Sequence, residues 1–499
     1  MKPKEFLFEV ALEAGDSTLI TLAVPVVPRS LGGMATTVRL CFDCGTLRLD
    51  GLTPGESGVP SRSVWAWDHR VTAWRCDAVH YADVRRELAD CLGARFQDDV
   101  PRPVKLGWPN AQLPPLRPDQ QEALVAWRDS GGRGQIIMPT GTGKTEVALA
   151  AMRECGVATL VVAPVRDLMY QWQHRILRRL GFDAGIVGDN THDCRPVTVT
   201  TYDSAYIHMD TLGARFGLVI FDEEHHLPGP AYREAALHCA APLRLGLTAT
   251  PERADGRHAD LDLLIGPVVY RQSVSEARGK TLAEYDVRRI PVALNPEEQR
   301  RYDQAGRLVR AYILKKRQEC PGYSWQDLCA ECGQDPEARK AQKAYALRKS
   351  IEDRAEEKLR VLEDLFRLHT GERTIVFTGT NAMALDVSRR FLVPTILSHT
   401  RKKERLAVLE GFVAGRFSVL VANQVLDEGV DVPAAKIAIV IGGQASTRQA
   451  QQRLGRVLRR TGTARATLYE VVCQDTKEEE RSRQRRRSDA YERTRRFAF

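Results

Sequence analysis

From residue 119 onward, short apolar β-branched runs alternate with helical stretches, and this alternation is what most restricts the fold of the chain. The first series is QIIMP at 135–139, TLVVAP at 159–164, VTVTT at 197–201, FGLVIFDEEHH at 216–226 and LRLGLTAT at 243–250. The second is RTIVFTGT at 373–380, PTILSH at 394–399, FSVLVAN at 417–423, KIAIVIGG at 436–443 and ATLYEVV at 466–472. Strands without polar alternation are covered on both faces, and the intervening helices supply the cover. Two series predict two doubly wound, parallel-sheet α/β domains, at 109–280 and 281–476.

The rest of the chain reads differently. Residues 1–108 are mixed, with alternating runs such as TTVRLCFDCGTLRLDG and a helical YADVRREL, and predict a small N-terminal domain. The Pro-rich PRPVKLGWPNAQLPPLRP at 101–118 marks a boundary, because Pro disrupts helices and central strands. Residues 296–360 are polar, rich in Arg, Glu, Lys and Ala, and read as a helical insertion in the second domain. The basic tail 477–499 holds nine basic and five acidic residues and is expected to be a frayed helix or a disordered extension.

Composition excludes more than it assigns. No apolar run approaches the ~18–20 residues that span a bilayer, so a membrane protein is not expected. Glu5, Glu9 and Glu13 interrupt the apolar stretch behind Lys2 and Lys4, so a secretory leader is not expected either. Eleven cysteines, an odd number, suit reduced thiols in a cytoplasm rather than a disulfide scaffold. The net charge of +9 is carried mostly by Arg, 58 of 73 basic residues. Arg suits phosphate, but GC-rich coding produces the same bias, so charge alone does not name a partner.

The sharpest motif is Met138-Pro139-Thr140-Gly141-Thr142-Gly143-Lys144-Thr145, between a strand and a helix. The general phosphate-loop pattern asks for Gly where Met138 stands. The physical demand is met nonetheless: Gly141 and Gly143 let the backbone curl around phosphate, with Thr142 between them. Lys144 can reach the β/γ-phosphates, and Thr145 can ligate Mg²⁺. About 80 residues on, an apolar strand ends in Asp222-Glu223-Glu224-His225. Asp222 can hold Mg²⁺ and Glu223 can polarise water. A strand-end acidic pair alone reads equally as a solvated turn; the phosphate loop upstream favours ATP and Mg²⁺. Late in the second domain, Gln452-Arg453-Leu454-Gly455-Arg456-Val457-Leu458-Arg459 is either a basic helix face or a source of guanidinium groups for a transferring phosphoryl. Arg456 and Arg459, sitting on another domain, would reach that phosphoryl only on closure.

Taken in order, PTGTGKT, DEEH, LTAT, IVFTGT, QVLDEGVDVP and QRLGRVLR resemble the superfamily 2 helicase core over about 119–475. The resemblance implies two RecA-like domains with ATP between them and nucleic acid across both. It implies adenine contacts from Arg117 and Gln120, and coupling residues His225, Thr248 and Thr250. Gly429 and Asp431 would lie near both ATP and strand. Strand contacts would come from the loops that hold Arg166, Trp172 and Thr201. FDCGTLRLDG and the passage to YADVRREL are similar to the damage-recognition region of the XPB-type DNA repair helicases, in their prokaryotic form. That family's Arg-Glu-Asp element appears here as Arg253-Ala254-Asp255, with the middle acid missing. The insertion would then be thumb-like, with Lys315, Lys316 and Arg317 gripping phosphates beside Tyr312, Tyr323 and Trp325; a solvated helix with ordinary core aromatics reads the same residues.

The expected activity is ATP-dependent DNA unwinding or translocation, 3′→5′, in the cytoplasm near the nucleoid, on single strands and on fork or bubble junctions. Two alternatives stay open: an RNA-directed relative, and an ATPase switch that recruits a nuclease without unwinding. Zinc and iron–sulphur clusters are not expected. Cys41-x-x-Cys44 and Cys320, Cys329 and Cys332 lack a matching second pair at ligand spacing.

Overall fold

The computed structural model describes residues 37–56, 63–253, 255–278, 280–282, 284–397, 399–423, 435–442, 465–486 and 494–496. Residues 38–98 form a five-stranded sheet in the order β3-β4-β2-β1-β5. Its strands are β1 (Val38–Asp43), β2 (Thr46–Asp50), β3 (Ala66–Asp68), β4 (Ala73–Asp77) and β5 (Phe96–Asp98), with helix α1 (Tyr81–Leu92) preceding β5. The β1–β2 hairpin turns on Cys44 and Gly45, both at positive φ (48° and 84°), as a two-residue turn between twisted strands requires. Ala214 and Ala240, from the following domain, complete the apolar core of this sheet.

The 101–118 link is a strap rather than a loose connector. The amide of Leu106 donates to the Gly156 carbonyl (2.7 Å) and that of Gln112 to Arg179 (2.7 Å), while Val104 accepts from Ala158 (2.8 Å). Trp108 stands edge-on to Phe182, with ring centroids 5.9 Å apart.

The first series of apolar runs folds as expected. Domain one holds α2 (Pro118–Asp129), β6 (Arg133–Ile137), α3 (Lys144–Cys155), β7 (Thr159–Ala163), α4 (Arg166–Leu180), β8 (Gly185–Gly188), β9 (Thr191–His192), β10 (Val197–Thr201), α5 (Tyr202–Leu212), β11 (Leu218–Asp222), β12 (Leu243–Thr248) and β13 (Val268–Arg271). Its sheet order is β13-β6-β12-β11-β7-β10-β8-β9, parallel throughout except for the β8–β9 hairpin. Strands β7, β10 and β11 are buried at every position, the burial that their unbroken apolar character requires.

The second sheet runs β16-β17-β15-β18-β19-β14-β20, with every described pair parallel. It comprises β14 (Tyr285–Val292), β15 (Thr374–Thr378), β16 (Thr395–Ile396), β17 (Val419–Ala422), β18 (Ile437–Ile441), β19 (Ala466–Cys473) and β20 (Thr494–Arg496). Between β14 and β15 lies the helical insertion: Pro296–Glu319, Trp325–Glu331, Pro336–Arg354 and Glu356–Leu368. Its first helix starts where Asn295 accepts from the amides of Glu297 and Glu298, Glu298 caps in return, and Pro296 takes the first turn. Among the described residues, no helix is long and apolar enough to cross a membrane.

The reading of the tail as frayed or disordered is corrected over 477–485; residues 487–493 and 497–499 lie outside the described residues. Lys477–Arg485 is a helix capped by Thr476, and it docks on domain two with Glu478 and Ser482 fully buried. The fully buried Lys358 donates to both Glu478 oxygens (2.8 and 2.7 Å) and to the Glu352 carbonyl (2.6 Å). Arg481 pairs with Glu352, and Ser482 donates to Glu470 (2.8 Å). The charge run concealed one anion that points inward.

Candidate functional site

Strands β6, β12 and β11 are neighbours in the sheet, and the predicted nucleotide motifs leave from their carboxyl ends. In open parallel sheets that edge is where ligands bind. β6 runs into Met138, whose amide donates to the Thr248 carbonyl (3.0 Å) and whose side chain is buried. The residue that departs from the general pattern is therefore the last rung of the β6–β12 pairing. Gly141 and Gly143 then take positive φ (88° and 82°), and α3 starts at Lys144. The left-handed φ is what requires glycine at 143; a Cβ there would also displace the end of Gln120, 2.5 Å away.

Lys144 is buried and donates to the Met138 carbonyl (3.0 Å), and Thr142 Oγ1 donates to Pro139 (2.7 Å). Arg117 and Gln120, expected at adenine, bond instead to the phosphate loop. The Gln120 amide donates to the carbonyls of Thr142 (3.0 Å) and Gly143 (3.3 Å), and the Arg117 guanidinium donates to Thr142 as well.

At the end of β11, Asp222 Oδ2 accepts from Trp172 Nε1 (2.8 Å) and Oδ1 from the Glu223 amide (3.1 Å). Burial, and then the neighbouring Glu223 charge, push its pKa up to about 6; Trp172, Lys144 and Arg175 act against that rise. Glu223 sits at φ 51° in the left-handed region, which turns the acidic cluster out of the strand. Thr248 Oγ1 lies 2.9 Å from His225 Nδ1 and 3.4 Å from Glu223 Oε2, and the Thr250 amide donates to it (3.2 Å). The His225 carbonyl accepts from Arg253 (2.7 Å), which forks onto Asp255 through bonds of 2.9 and 2.6 Å. Arg253 in turn holds the Asp255 carboxyl well below the usual carboxylate range. Glu223, Thr248, His225, Arg253 and Asp255 thus form one connected run of polar contacts. Gly429, Asp431, Arg456 and Arg459 lie outside the described residues, as does Ala254.

Two expected strand contacts are corrected. Trp172 is 2% exposed and its indole is committed to Asp222, so it cannot stack on a base. Thr201 is buried and caps α5 by accepting from the Ser204 amide (3.2 Å). Arg166 is exposed but paired with Asp189 (2.7 Å). In the insertion, Lys316 pairs with Glu331 (3.0 Å), and Tyr312 and Tyr323 are buried with their hydroxyls on the same carboxylate (2.9 and 2.8 Å). That arrangement is a packed polar core, which leaves Lys315 and Arg317 as the exposed members of the basic trio.

Three residues near the site went unread in the sequence. Arg175 donates to Thr145 Oγ1 (2.9 Å). Its signal was the three-residue spacing from Trp172, which puts both on neighbouring positions of one helix face. Glu224 is fully buried, and burial pushes its pKa well above the ordinary value. It lies against Gly246, where a Cβ would fall 1.5 Å from its Oε2. Arg405, from domain two, bonds Asp167 at the start of α4 (2.8 Å). Among the described residues, no three His, Cys, Asp or Glu side chains are grouped to hold a metal by themselves.

Known proteins resemble this chain over most of its length. Residues 40–100 match the xeroderma pigmentosum group B helicase damage recognition domain, 113–253 the type III restriction enzyme res subunit family, and 357–461 the helicase conserved C-terminal domain. The chain is 39% identical over 453 residues to the DNA 3'-5' translocase XPB2 of Sulfurisphaera tokodaii, covering 90% of this chain and all of that one. It is 32% identical to the DNA 3'-5' helicase XPB of Kineococcus radiotolerans, over 77% of this chain and 67% of that one. Among solved structures, Saccharomyces cerevisiae Dbp5 bound to RNA and ADP BeF3 superposes with a TM-score of 0.51 at 14% identity, over 76% of this chain and 89% of that one, which is a likeness of fold.

Proposed function

The chain belongs to the XPB-type family of superfamily 2 helicases, and on that premise we propose that it is an ATP-dependent DNA helicase and translocase acting 3′→5′ in DNA repair. The observation that carries this reading is the convergence of Lys144, Thr145, Asp222, Glu223, His225 and Thr248 at three adjacent strand ends. Thr145 and Asp222 present hard oxygen donors, the kind Mg²⁺ takes, and the left-handed glycines let the loop amides turn toward phosphate oxygens. ATP with Mg²⁺, when bound, supplies the phosphoanhydride whose cleavage drives the cycle.

Lys144 leaves the Met138 carbonyl to neutralise the β/γ-phosphates. Thr145 and Asp222 would hold Mg²⁺, and the amides around Gly141, Thr142 and Gly143 would face the phosphates. Glu223 orients and polarises the attacking water. Arg117 and Gln120 release the Thr142 carbonyl to meet adenine. By the family's motif match, Arg456 and Arg459 would bring positive charge to the transferring phosphoryl, and Gly429 and Asp431 would serve ATP and strand. His225, Thr248 and Thr250 relay the state of Glu223 toward the half-buried Arg253 and the exposed Asp255. Arg166, Lys315 and Arg317 contact the DNA backbone. The setting is a prokaryotic cytoplasm, at the nucleoid, on single strands and on fork or bubble junctions.

The test is strand displacement on 3′-tailed, 5′-tailed and forked DNA, with Lys144→Ala as control. ATP-dependent unwinding of 3′-tailed and forked substrates, lost in Lys144→Ala, is the expected result. Unwinding that survives Lys144→Ala would overturn the site, and equal ATPase stimulation by RNA would overturn the DNA preference. DNA-stimulated hydrolysis without displacement would replace the helicase with a switch that recruits a nuclease.

A further inference from the structure

Helix α4 touches three functional places at once. At its first turn, Asp167 accepts from Arg405 of domain two (2.8 Å), and Arg405 is itself only 17% exposed and tied to the Thr400 carbonyl (3.4 Å). One and a half turns on, Trp172 donates to Asp222 (2.8 Å). A further turn on, Arg175 donates to Thr145 (2.9 Å). The helix is stiffly held between these points: Met169, Trp172 and Ile176 are buried at helical spacing against the sheet, and Arg166 and Tyr170 both bond Asp189 (2.7 and 2.9 Å). The strap grips its far end through Arg179.

Resting on the nucleotide-site reading above, we infer that α4 carries the position of domain two to the magnesium-binding pair, and that Trp172 and Arg175 are positioning residues for Asp222 and Thr145. The physical reason is directional. A carboxylate and a hydroxyl can each rotate about their side-chain bonds, and each takes a donor from the same helix, Asp222 Oδ2 from Trp172 and Thr145 Oγ1 from Arg175, while the Glu223 amide holds the other Asp222 oxygen. A displacement of α4 therefore turns both oxygens together. Arg405 is the handle by which domain two displaces it. Partners that orient metal ligands in this way typically matter about tenfold or more to metal affinity.

The full chain is titrated with a fluorescent ADP analogue at rising magnesium chloride and, separately, in EDTA. Trp172→Phe removes the indole donor and keeps a ring; Arg175→Met removes the guanidinium and Arg175→Lys returns a cationic donor. The expected result is a magnesium half-saturation raised about tenfold in Trp172→Phe and in Arg175→Met, with affinity in EDTA unchanged and Arg175→Lys restored to within about twofold. Arg405→Ala should shift the half-saturation about threefold in the wild-type background and not at all in Trp172→Phe, because removing the link uncouples the handle. A lowered thermal midpoint with unchanged magnesium half-saturation means a purely structural role and overturns the inference. So does an Arg405→Ala shift that persists undiminished in Trp172→Phe. Arg175 is partly exposed, so its variants report even where Trp172→Phe folds poorly. Lys144→Ala separates the two readings: undisturbed nucleotide binding in that variant would break the nucleotide site itself, whereas normal loss there with no magnesium effect at α4 breaks this inference alone.

Discussion

Glu478→Ala should detach the C-terminal helix from domain two. Lys358 is fully buried, and three bonds compensate its ammonium: two to Glu478 (2.8 and 2.7 Å) and one to the Glu352 carbonyl (2.6 Å). Burial alone would lower its pKa; the neighbouring anions outweigh that and hold it above the ordinary lysine value. Truncating Glu478 leaves this charge in a dry site and frees the Cys473 amide, which donates to the same carboxylate (2.9 Å). Breaking a buried pair from one side costs about 3–5 kcal/mol. Asp353 faces the same ammonium and takes over part of the pairing, so the lower end, about 3 kcal/mol, is expected. That corresponds to roughly a hundredfold loss of amide protection across Lys477–Arg485 and the end of β19, read by hydrogen–deuterium exchange. Lys358→Met combined with Glu478→Leu should return protection to within about 1 kcal/mol of wild type, since an apolar pair of similar volume replaces the ions. A Glu478→Ala cost below about 1 kcal/mol would mean that the pair is hydrated and the helix is held by something else.

Glu223→Gln should retain nucleotide binding while hydrolysis falls at least about a hundredfold, measured by single-turnover ATPase; retained turnover assigns the water to another residue. Asp353 has both oxygens buried without a partner, and burial raises its pKa from the usual 3.8 to about 6. The unfolded chain ionises this group first, so its penalty grows as pH rises from about 4 to about 6 and then stays constant. Asp353→Asn should therefore stabilise domain two by on the order of 2–3 kcal/mol at pH 7.5 and by nothing near pH 4, as denaturant midpoints across that range will show. DNA affinity should fall steeply from 50 to 200 mM salt, since neutralised phosphates release counterions; a flat titration would remove the backbone-tracking picture.

The motor was legible because its demands are local. A glycine-bracketed lysine between strand and helix, and acids at an apolar strand end, announce themselves in a few residues. The central strands of both sheets were equally plain, but the short β8, β9, β13 and β20 were not read, nor was β14: its YDVRRIPV alternates in burial and carries two arginines, so it lacks the unbroken apolar look of its neighbours. What stayed hidden depends on direction. Trp172 and Thr201 sit in the expected loops, but one faces Asp222 and the other its own helix, and no composition signal gives the side-chain heading. Glu478 and Glu224 look like surface acids in text and are fully buried in space. Tyr312 and Tyr323 near lysines suggested a nucleic-acid grip, and they form the packed centre of the insertion instead.

The strap and the shared core of the first sheet bear on how force is delivered. Ala214 and Ala240 enter that sheet from positions just ahead of β11 and β12, at the strand ends opposite the phosphate loop. A Cβ on Gly45 would overlap His238 at 2.6 Å, so the two surfaces are in hard contact. The first sheet and domain one are therefore packed as one body, against which domain two would have to work. A substrate held by the first sheet would keep a constant bearing to the nucleotide site, whatever domain two does beyond β13.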